Sequence, residues 1–560
     1  MSFEYLTKDF IFDHTTFNQI KEEVPTYYVF PTVYIIYCKK TKQAYIGETT
    51  NILSRLKQHL VNPDKNQLKN IKVIFSHFFN KSSVLDIESS LIQNMLADNQ
   101  FKLLNGNDGI SNHKYYQKDE YEHTFKDIWK NLQFEKLVKN DLLDIQNSDL
   151  FKYSPYKSLS EDQYNGIREY LFTLKNKDEK NSTFIQGSAG TGKTILAVYL
   201  IKLLLTDVDK DDLDDNFEVS SLIELSQEVK DKLKKEKDEL KIALVIPMTS
   251  LRKTLKKVFK SIHGLSQHMV IGPNDVSKDQ YDLLIVDEAH RLKRRKNITG
   301  YKEFDKTNKH FGLDNDGNEL DWIMKSSTNQ LFFYDDKQSI RPTDVEKFKF
   351  DNVKENSSTI QLKSQMRVEG GEDYIEFIDK LLTSSKELTP FESNNYELKL
   401  FTSMKNMLRL LEEKEKEVGL CRTISGYSWK WISQKTSGPD VTIDGVDLYW
   451  NRQSQDWINS TTQMNEMGCI HTTQGYDLNY SAIIFGSDIT YNFETKKIEV
   501  IKANYFDRNG KAGITEEQLH DYIINIYKTI MYRGIKGTYV YCYDENLRDY
   551  FKNFITVENI

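Results

Sequence analysis

The segment "FIQGSAGTGKTILAVYL", which begins at residue 184, constrains the fold of this chain more than any other. A short apolar run leads into a glycine-rich turn and then into an apolar helix pattern, with the spacing G-x-x-x-x-G-K-[ST] over residues 187–194. Glycines allow backbone N–H groups to approach phosphate oxygens, and the helix N-terminus adds a positive dipole. The segment therefore predicts a phosphate-binding loop between a strand and a helix.

Individual loop residues have predicted roles in binding a nucleotide. Lys193 is placed to reach the β- and γ-phosphates, and Thr194 can hold Mg²⁺. The complete predicted loop is Gly187, Ser188, Ala189, Gly190, Thr191, Gly192, Lys193 and Thr194.

Short apolar runs alternate with amphipathic helix patterns from residue 158 onward. The runs are "STFIQG", "IALVIP", "DLLIVDE", "NQLFFYD", "AIIFG" and "TYVYCYD", and this alternation predicts a parallel α/β sheet. A chain of 560 residues also exceeds what one hydrophobic core supports, so we expect three or four folding units. The predicted divisions are 1–112, a helical connector over 113–157, 158–345 with a charged insertion at about 206–240, and 346–560.

Cysteine usage and apolar run length indicate the cellular environment. The four cysteines form no C-x-x-C pair, which argues against a disulfide framework and a zinc site. The N-terminus is polar, and the longest apolar runs are too short to span a bilayer. We therefore expect a cytoplasmic protein without a membrane partner.

The net charge does not by itself predict a nucleic-acid partner. At −7 it gives no general attraction to phosphates, so any such surface must be local. One candidate is "RLKRRKNITGYK" from residue 291, for which a solvated loop is the alternative interpretation.

A second strand pattern, "YDLLIVDEAHRL", ends in two acidic residues. Asp287 is placed to hold Mg²⁺ through the water shell of Thr194, and Glu288 to orient or deprotonate the attacking water. Behind a phosphate-binding loop, this pair indicates nucleotide hydrolysis.

With these motifs, residues 158–545 resemble superfamily 1 helicases, and most closely the bacterial helicase-like ATPases related to the Schlafen P-loop domain. The resemblance implies two RecA-like lobes and ATP as the nucleotide. "LSEDQYNGI" resembles the adenine-reading Q motif with Gln163 as the reader, and "LVIPMTSLRKTL" resembles a segment that contacts a single strand. "FFYDDKQSI" resembles motif III, with Gln338 sensing the γ-phosphate.

The second predicted lobe carries three further motifs of the same family. "LKSQMRV" offers Arg367, and "MYRGIKGTYVYCYD" offers Arg533 of motif VI. The resemblance implies that these two arginines are fingers that couple ATP hydrolysis to lobe closure. "IHTTQGYDL" resembles motif V, with Thr472, Gln474, Gly475 and Asp477.

The N-terminal run "TVYIIYCKKTKQAYIGE" reads as a β-hairpin. A turn centred near Lys40 and Thr41 makes Tyr34 and Tyr45 diagonal cross-strand neighbours on one face. Thr49 or Thr50 can cap the next helix, on which Arg55 and His59 share a face at positions i and i+4.

A later helix pattern, "VLDIESSLIQNMLA", carries Glu88 at the border of its apolar stripe. An unpaired carboxylate there would be costly, and a metal ion would relieve the cost. A boundary glutamate that reaches out to solvent is the alternative interpretation.

Taken together, this N-terminal set resembles the GIY-YIG endonuclease module over about residues 30–110. The resemblance covers Tyr34, the "YIG" from Tyr45 to Gly47, Arg55, His59, Glu88 and Asn105 in "LLNGNDG". It implies a small α+β domain with one divalent ion, Mg²⁺, on Glu88. It further implies that a tyrosine assisted by His59 activates water and that Arg55 stabilises charge on the scissile phosphate.

The combined expectation is a Mg²⁺-dependent endonuclease coupled to a nucleic-acid-dependent ATPase or helicase. DNA is the favoured substrate and RNA is possible, with a role in bacterial anti-phage defence or DNA processing. Two alternatives remain. The ATPase lobes could be a nucleotide switch without translocation, or the N-terminal module could only bind nucleic acid beside an ATP-driven translocase.

Overall fold

The structure is a computed structural model that describes most of the chain. The described residues are 2–105, 115–157, 159–177, 180–188, 190–206, 217–234, 239–336, 343–364, 368–452, 457–460, 463–473, 476–507, 510–511 and 514–558. Five predicted site residues lie outside them, namely Ala189, Gln338, Arg367, Gln474 and Gly475.

The chain forms two compact units, each assembled from separate stretches of sequence. The first comprises Met1–Asn181, Thr194–Leu244 and Thr254–Val270. The second comprises Ser182–Lys193, Val245–Lys253 and Ile271–Ile560. The predicted boundaries at 112, 157 and 345 remain predictions.

The N-terminal part is a small α+β fold around a five-stranded sheet, with strand order β1-β4-β2-β3-β5. Strands β1, β4, β2 and β3 pair antiparallel in turn, while β5 runs parallel to β3. The elements are β1 (Leu6–Ile11), α1 (Thr16–Glu23), β2 (Thr32–Cys38), β3 (Gln43–Thr49), α2 (Ile52–Val61), β4 (Asn70–Phe75), α3 (Lys81–Asp98) and β5 (Lys102–Leu103).

The predicted β2–β3 hairpin is confirmed. The strands pair from Thr32↔Thr49 to Cys38↔Gln43, which leaves residues 39–42 as the turn. All seven residues of β2 are buried, in keeping with its β-branched and aromatic composition.

The predicted cap of α2 is wrong. Asn51 is the N-cap, because its side chain accepts a hydrogen bond from the Ser54 N–H. The Thr49 hydroxyl instead accepts from the Asn51 N–H at 3.0 Å, so it stabilises the turn one step earlier. Thr50 makes neither contact, since the helix begins only at Ile52.

Three helices follow the N-terminal sheet: α4 (Lys118–Phe134), α5 (Leu142–Gln146) and α6 (Asp149–Lys152). All three pack against α3. Lys72 of β4, whose side chain is only 2% exposed, adds a polar link. Its ammonium lies 2.7 Å from Asp9 of β1 and 2.6 Å from Glu135 at the end of α4.

A six-stranded sheet follows, with strand order β11-β6-β10-β9-β7-β8. The pairs β11–β6 and β10–β9 are parallel, as predicted. The elements of this region are α7 (Glu161–Asn176), β6 (Asn181–Gly187), α8 (Lys193–Leu205), α9 (Phe217–Lys234), β7 (Ile242–Val245), α10 (Thr249–Ser261), β8 (Val270–Ile271), β9 (Tyr281–Val286), α11 (Tyr301–His310), α12 (Glu319–Ser326), β10 (Ser327–Tyr334), α13 (Lys347–Lys354) and β11 (Ser358–Leu362).

The predicted charged insertion contains the helix α9, which packs against α7. An ion pair of 2.6 Å joins Lys175 to Glu228, and the Lys232 ammonium donates to the carbonyl of Lys175 at 2.7 Å. Residues 207–216 and 235–238 of the insertion lie outside the described residues.

An eight-stranded sheet forms the C-terminal part, with strand order β14-β15-β16-β13-β17-β20-β12-β21. Its central strands β13, β17, β20 and β12 are parallel, which confirms a second parallel α/β layer. The elements are α14 (Gly371–Leu382), β12 (Glu397–Phe401), α15 (Met404–Val418), β13 (Cys421–Ser425), β14 (Val441–Ile443), β15 (Val446–Trp450), α16 (Trp457–Ser460), β16 (Glu466–Gly468), α17 (Ile470–Thr473), β17 (Leu478–Phe485), β18 (Ile489–Asn492), β19 (Lys497–Val500), α18 (Glu516–Met531), β20 (Gly534–Cys542), α19 (Glu545–Phe551) and β21 (Val557–Glu558).

None of the helices in the described part of the chain combines the length and apolar character that crossing a bilayer requires.

We predict that the Lys72 ion pairs hold the connector helix α4 on the sheet. The double change Asp9→Asn and Glu135→Gln leaves a buried ammonium without a carboxylate. Because Asp9 and Glu135 are 57% and 30% exposed, we discount the full penalty and expect a loss of about 2 kcal/mol. The midpoint of the first thermal unfolding transition measures it.

Lys72→Met is the matched control for that experiment. It keeps a long apolar stem in place of the buried charge, so we expect a smaller loss than from the double change. An equal or larger loss from Lys72→Met would contradict a dominant role for the charge.

Candidate functional site

The hairpin β2–β3 brings two predicted tyrosines together. Tyr34 pairs with Gly47 and Ile36 pairs with Tyr45, so the two rings are diagonal neighbours, with centroids 6.5 Å apart. This confirms the predicted register. The Tyr34 hydroxyl lies 2.7 Å from His59 Nε2 on α2, within hydrogen-bond distance.

Gly47 makes the approach of Tyr34 possible. A Cβ at this position would lie 2.3 Å from the Tyr34 hydroxyl oxygen, far inside van der Waals contact. Any side chain here would displace the tyrosine from His59. The glycine of the "YIG" sequence is therefore a steric requirement of the Tyr34–His59 hydrogen bond.

His59 is buried, with only 2% of it exposed. Burial lowers the pKa of His59 to about 2, and the positive charges of Lys65 and Arg55 contribute. The imidazole is therefore neutral near pH 7. A neutral ring leaves one nitrogen able to accept a hydrogen bond, which fits Nε2 as the acceptor for the Tyr34 O–H.

Two cations border this cluster. Arg55 is half-buried on α2, and its Nη1 donates to Gln58 Oε1 at 3.1 Å. Lys65 is only 4% exposed, and its ammonium lies 4.0 Å from the centroid of the Tyr45 ring. Sequence reasoning missed Lys65 because "NPDKNQ" reads as a polar turn, and no helical or strand spacing connects it to the site.

Glu88 lies on α3, which packs against β2, β3 and β5. It is 7% exposed, so the solvent-reaching alternative is not the conformation in the structure. Another buried carboxylate, Glu48, follows Gly47 and forms an ion pair of 2.5 Å with Lys81 at the start of α3. The sequence analysis did not identify Glu48.

The donor set is sparse for a metal ion but suits Mg²⁺. Within the described ranges, no three His, Cys, Asp or Glu side chains gather as a metal-binding group. Mg²⁺ keeps several waters and commonly takes one or two carboxylates together with phosphate oxygens. A single buried glutamate at a phosphodiester site is therefore compatible with this ion.

Asn105 fixes the backbone beside the tyrosines. Its Oδ1 accepts from the Ile46 N–H at 3.1 Å, and its Nδ2 donates to the Ile46 carbonyl at 2.7 Å. Asn105 is 1% exposed. The Asn105 side chain thus forms the two backbone hydrogen bonds at Ile46 that a neighbouring strand would otherwise form. Ile46 lies between Tyr45 and Gly47.

The predicted phosphate-binding loop lies between β6 and α8, as the motif requires. Gly190 and Gly192 have φ of 92° and 78°, which favours glycine at both positions. A Cβ at Gly187 would lie 2.5 Å from Thr191 Oγ1. The Lys193 ammonium donates to the carbonyls of Gly187 and Ser188 at 2.7 and 2.8 Å.

The acidic pair follows β9. Asp287 is fully buried, and its Oδ1 accepts from the Glu288 N–H at 3.0 Å. Glu288 has a φ of 51°, a left-handed conformation that costs a non-glycine residue about 1–2 kcal/mol. Stored strain of this kind is concentrated at functional sites.

Neighbouring positive charges favour the ionised form of the Glu288 carboxyl. Burial would raise the pKa of this carboxyl, but His290, Lys193 and Arg291 outweigh burial and hold it well below its usual range. His290 Nε2 lies 3.1 Å from Glu288 Oε2. Glu288 is therefore ionised at neutral pH.

Asp335 is a site residue that the sequence analysis missed. It follows β10, is 4% exposed, and its carboxylate lies 3.9 Å from the Lys193 ammonium. Position at the carboxyl end of a central parallel strand was the signal that could have identified it.

Three predicted nucleotide-site residues take part in local hydrogen bonds. Gln163 Oε1 accepts from the Ser160 N–H at 3.1 Å in a capping box of α7. Thr472 Oγ1 accepts from the Cys469 N–H at 2.9 Å. Arg533 is 4% exposed, and its Nη1 donates to the Tyr476 carbonyl at 3.4 Å.

The roles of these three residues toward a nucleotide remain predictions. Thr194, at the second position of α8, and Asp477, before β17, are half-buried, and their roles likewise remain predictions.

The basic segment from residue 291 is neutralised in part. Each of its arginines, Arg291, Arg294 and Arg295, forms an ion pair with a carboxylate: Asp344, Glu346 and Asp305, respectively. The charges of these three arginines therefore stabilise the local structure.

Comparisons with known proteins identify two domains. The sequence model described as Schlafen group 3, DNA/RNA helicase domain, matches residues 180–544, more than half of the chain. The GIY-YIG catalytic domain matches residues 30–102.

A relative is the uncharacterized protein YPL245W of Saccharomyces cerevisiae, which is 26% identical over 412 residues. The match covers 65% of this chain and 82% of the relative.

Solved helicase structures are distant matches. A Pif1 helicase from Bacteroides in complex with ADP-AlF3 and ssDNA is 11% identical, with a TM-score of 0.26, and the match covers 69% of this chain and 92% of that one. An Arterivirus nonstructural protein 10 helicase with DNA is 10% identical, with a TM-score of 0.29, and the match covers 70% and 67%.

The family assignment thus depends on the two sequence matches, and the parallel sheets and the Tyr34–His59 cluster agree with it. The chain is an enzyme that belongs to the Schlafen group 3 DNA/RNA helicase family, and in this chain a GIY-YIG catalytic domain precedes the helicase domain.

Proposed function

We propose that this protein is a Mg²⁺-dependent endonuclease whose cleavage of nucleic acid is controlled by its own ATPase. The observation that carries the proposal is the 2.7 Å contact between the Tyr34 hydroxyl and His59 Nε2, inside a buried cluster bordered by Arg55 and Lys65. An acceptor for a proton thus lies next to two cations suited to a phosphate.

In this proposal Tyr34 and His59 handle the proton of the attacking water. His59 is neutral, so Nε2 can take the Tyr34 proton while the tyrosine oxygen takes one from water. Burial is the main cause of the low pKa of His59, and a bound phosphodiester would offset the smaller contribution that the charges of Lys65 and Arg55 make. Substrate binding would therefore make His59 a better base.

Arg55 and Lys65 would stabilise the charge that develops on the scissile phosphate. The Glu88 carboxylate is the group that would hold Mg²⁺. When bound, the ion supplies Lewis-acid stabilisation of a phosphate oxygen.

The second site would hydrolyse ATP. Lys193 is positioned by the phosphate-binding loop, and the ionised, strained Glu288 is a candidate to orient the attacking water. Asp287 and Thr194 would hold the Mg²⁺ that accompanies ATP. Asp335 lies near enough to Lys193 to hold its ammonium in place.

We take DNA as the substrate, with RNA as the alternative, and a role in anti-phage defence or DNA processing. The support for these finer points is the resemblance of the motifs. Both nucleic acids therefore belong in the first assay.

We predict that Glu88→Ala abolishes cleavage while ATP hydrolysis continues, because the two reactions use different carboxylates. A loss of about 100-fold or more is expected from removing a metal ligand. Lys193→Ala should remove ATP hydrolysis and the ATP-dependent part of cleavage. The measurement is cleavage of single-stranded, duplex and forked DNA and of RNA, with Mg²⁺, with and without ATP.

Glu88→Gln serves as the isosteric control, since it keeps side-chain size and removes only the charge. It should lose cleavage as Glu88→Ala does. Cleavage that survives both changes would refute the nuclease assignment, and cleavage unaffected by Lys193→Ala at saturating ATP would refute ATPase control.

We also predict that acid destabilises the nuclease domain through His59. Its pKa is about 2 in the folded state and about 6.5 when unfolded, so its stabilising contribution is complete above pH 6.5 and is lost as the pH falls toward 2. The loss at pH 5 should be about 2 kcal/mol. Thermal midpoints at pH 7.5 and 5.0 measure it.

In that experiment His59→Gln should show a smaller fall of the midpoint between pH 7.5 and 5.0. His123→Gln changes an exposed histidine and should behave like the wild type. An unchanged pH dependence in His59→Gln would show that His59 is not held neutral by the fold.

A further inference from the structure

We infer that Tyr156 is a positioning residue of the nuclease, through which the helix that starts at the phosphate-binding loop acts on the catalytic hairpin. The inference deepens the proposed function, and it rests on that function for its biological meaning. Every side-chain contact involved lies within the first compact unit.

The first step connects Tyr156 to the nuclease site. Its hydroxyl donates to the Asn105 carbonyl at 3.1 Å, and the residue is 6% exposed. The side chain of the same Asn105 makes both hydrogen bonds to Ile46. Because Ile46 separates Tyr45 from Gly47, a shift of Asn105 would move the backbone on which Tyr34 and Tyr45 depend.

The second step connects Tyr156 to α8. The ammonium of Lys202 lies 6.0 Å from the Tyr156 ring centroid, and Lys202 is 1% exposed. It donates to the His263 carbonyl at 2.8 Å, in the turn after α10. A buried ammonium held by a carbonyl and an aromatic face has little freedom to move independently of its helix.

The charge of the nuclease sheet edge also acts on His263 in this turn. Burial lowers the pKa of His263, and the charges of Lys202 and of Lys102 on β5 lower it further. Lys102 pairs with Gln43 of β3, three residues before Ile46.

The helix α8 is a suitable transmitter. It begins at Lys193 and carries Lys202 nine residues later, a span of roughly 14 Å at 1.5 Å per residue. A helix moves as a unit over such a length. A displacement of its N-terminus when phosphates bind would therefore shift Lys202 and, through the Tyr156 ring, the Asn105 hydrogen bond.

The test is hydrogen–deuterium exchange of the full chain, with and without a non-hydrolysable ATP analogue and Mg²⁺. The peptide to follow covers residues 44–48, which contains the Ile46 amide that donates to Asn105. In the wild type we expect the nucleotide to change its exchange rate by roughly three- to tenfold, the effect of one hydrogen bond. In Tyr156→Phe, which keeps the ring and removes only the hydroxyl, the change should fall below about twofold.

Two further variants complete the design. Tyr121→Phe is the matched control, because this buried tyrosine also donates to a backbone carbonyl, that of Phe78, away from Asn105. It should respond to nucleotide like the wild type. Lys202→Met keeps the apolar stem without the ammonium and should lose the response as Tyr156→Phe does.

A wild type with no nucleotide-dependent change at residues 44–48, or a Tyr156→Phe variant that keeps the wild-type response, would overturn the inference. The exchange measurement does not need catalysis, so it separates this inference from the proposed function. If no nucleic acid is cut but the exchange pattern is as expected, the coupling stands and the nuclease proposal fails. If cleavage occurs and depends on ATP but Tyr156→Phe keeps the wild-type exchange response, the nuclease proposal stands and the coupling inference fails.

Discussion

The nuclease site depends on one close approach, that of the Tyr34 hydroxyl to the backbone of Gly47. The missing side chain at Gly47 leaves room for the phenol to reach His59 Nε2 at 2.7 Å. Strand register, the diagonal placement of Tyr45 and the burial of His59 all serve this contact. A neutral imidazole follows, because a histidine enclosed beside Arg55 and Lys65 cannot hold a proton at neutral pH.

The two sites use buried charge in opposite ways. At the nuclease site, burial keeps His59 neutral, and the charges of Lys65 and Arg55 contribute. At the nucleotide site, His290 and Lys193 keep Glu288 ionised, while Asp335 lies 3.9 Å from the Lys193 ammonium. In the proposed function, Arg55 and Lys65 would bind a phosphodiester, and the ionised Glu288 would orient water beside the phosphates of ATP.

The sequence predicted those parts of the fold and the sites that depend on local patterns. The hairpin register follows from the two-residue period of a β-strand, and the parallel strands follow from short apolar runs. The loop before Lys193 follows from the spacing of its glycines. Lys65, Glu48 and Asp335 escaped prediction because tertiary packing, not spacing, brings each one to its partner. The cap at Asn51 was mispredicted since three successive residues, Thr49 to Asn51, can all cap a helix, and only the backbone path decides among them.

The buried Lys72 ion pairs join the N-terminal sheet to its connector helix. They join β4 to both β1 and the end of α4, so the N-terminal sheet and its connector helix form one body. A catalytic domain on a flexible linker moves through a volume and can cut any nucleic-acid strand that enters this volume. A sheet joined to α4 in this way moves with that helix, so under the proposed function the connector, and not a flexible linker, would set how the site meets its substrate.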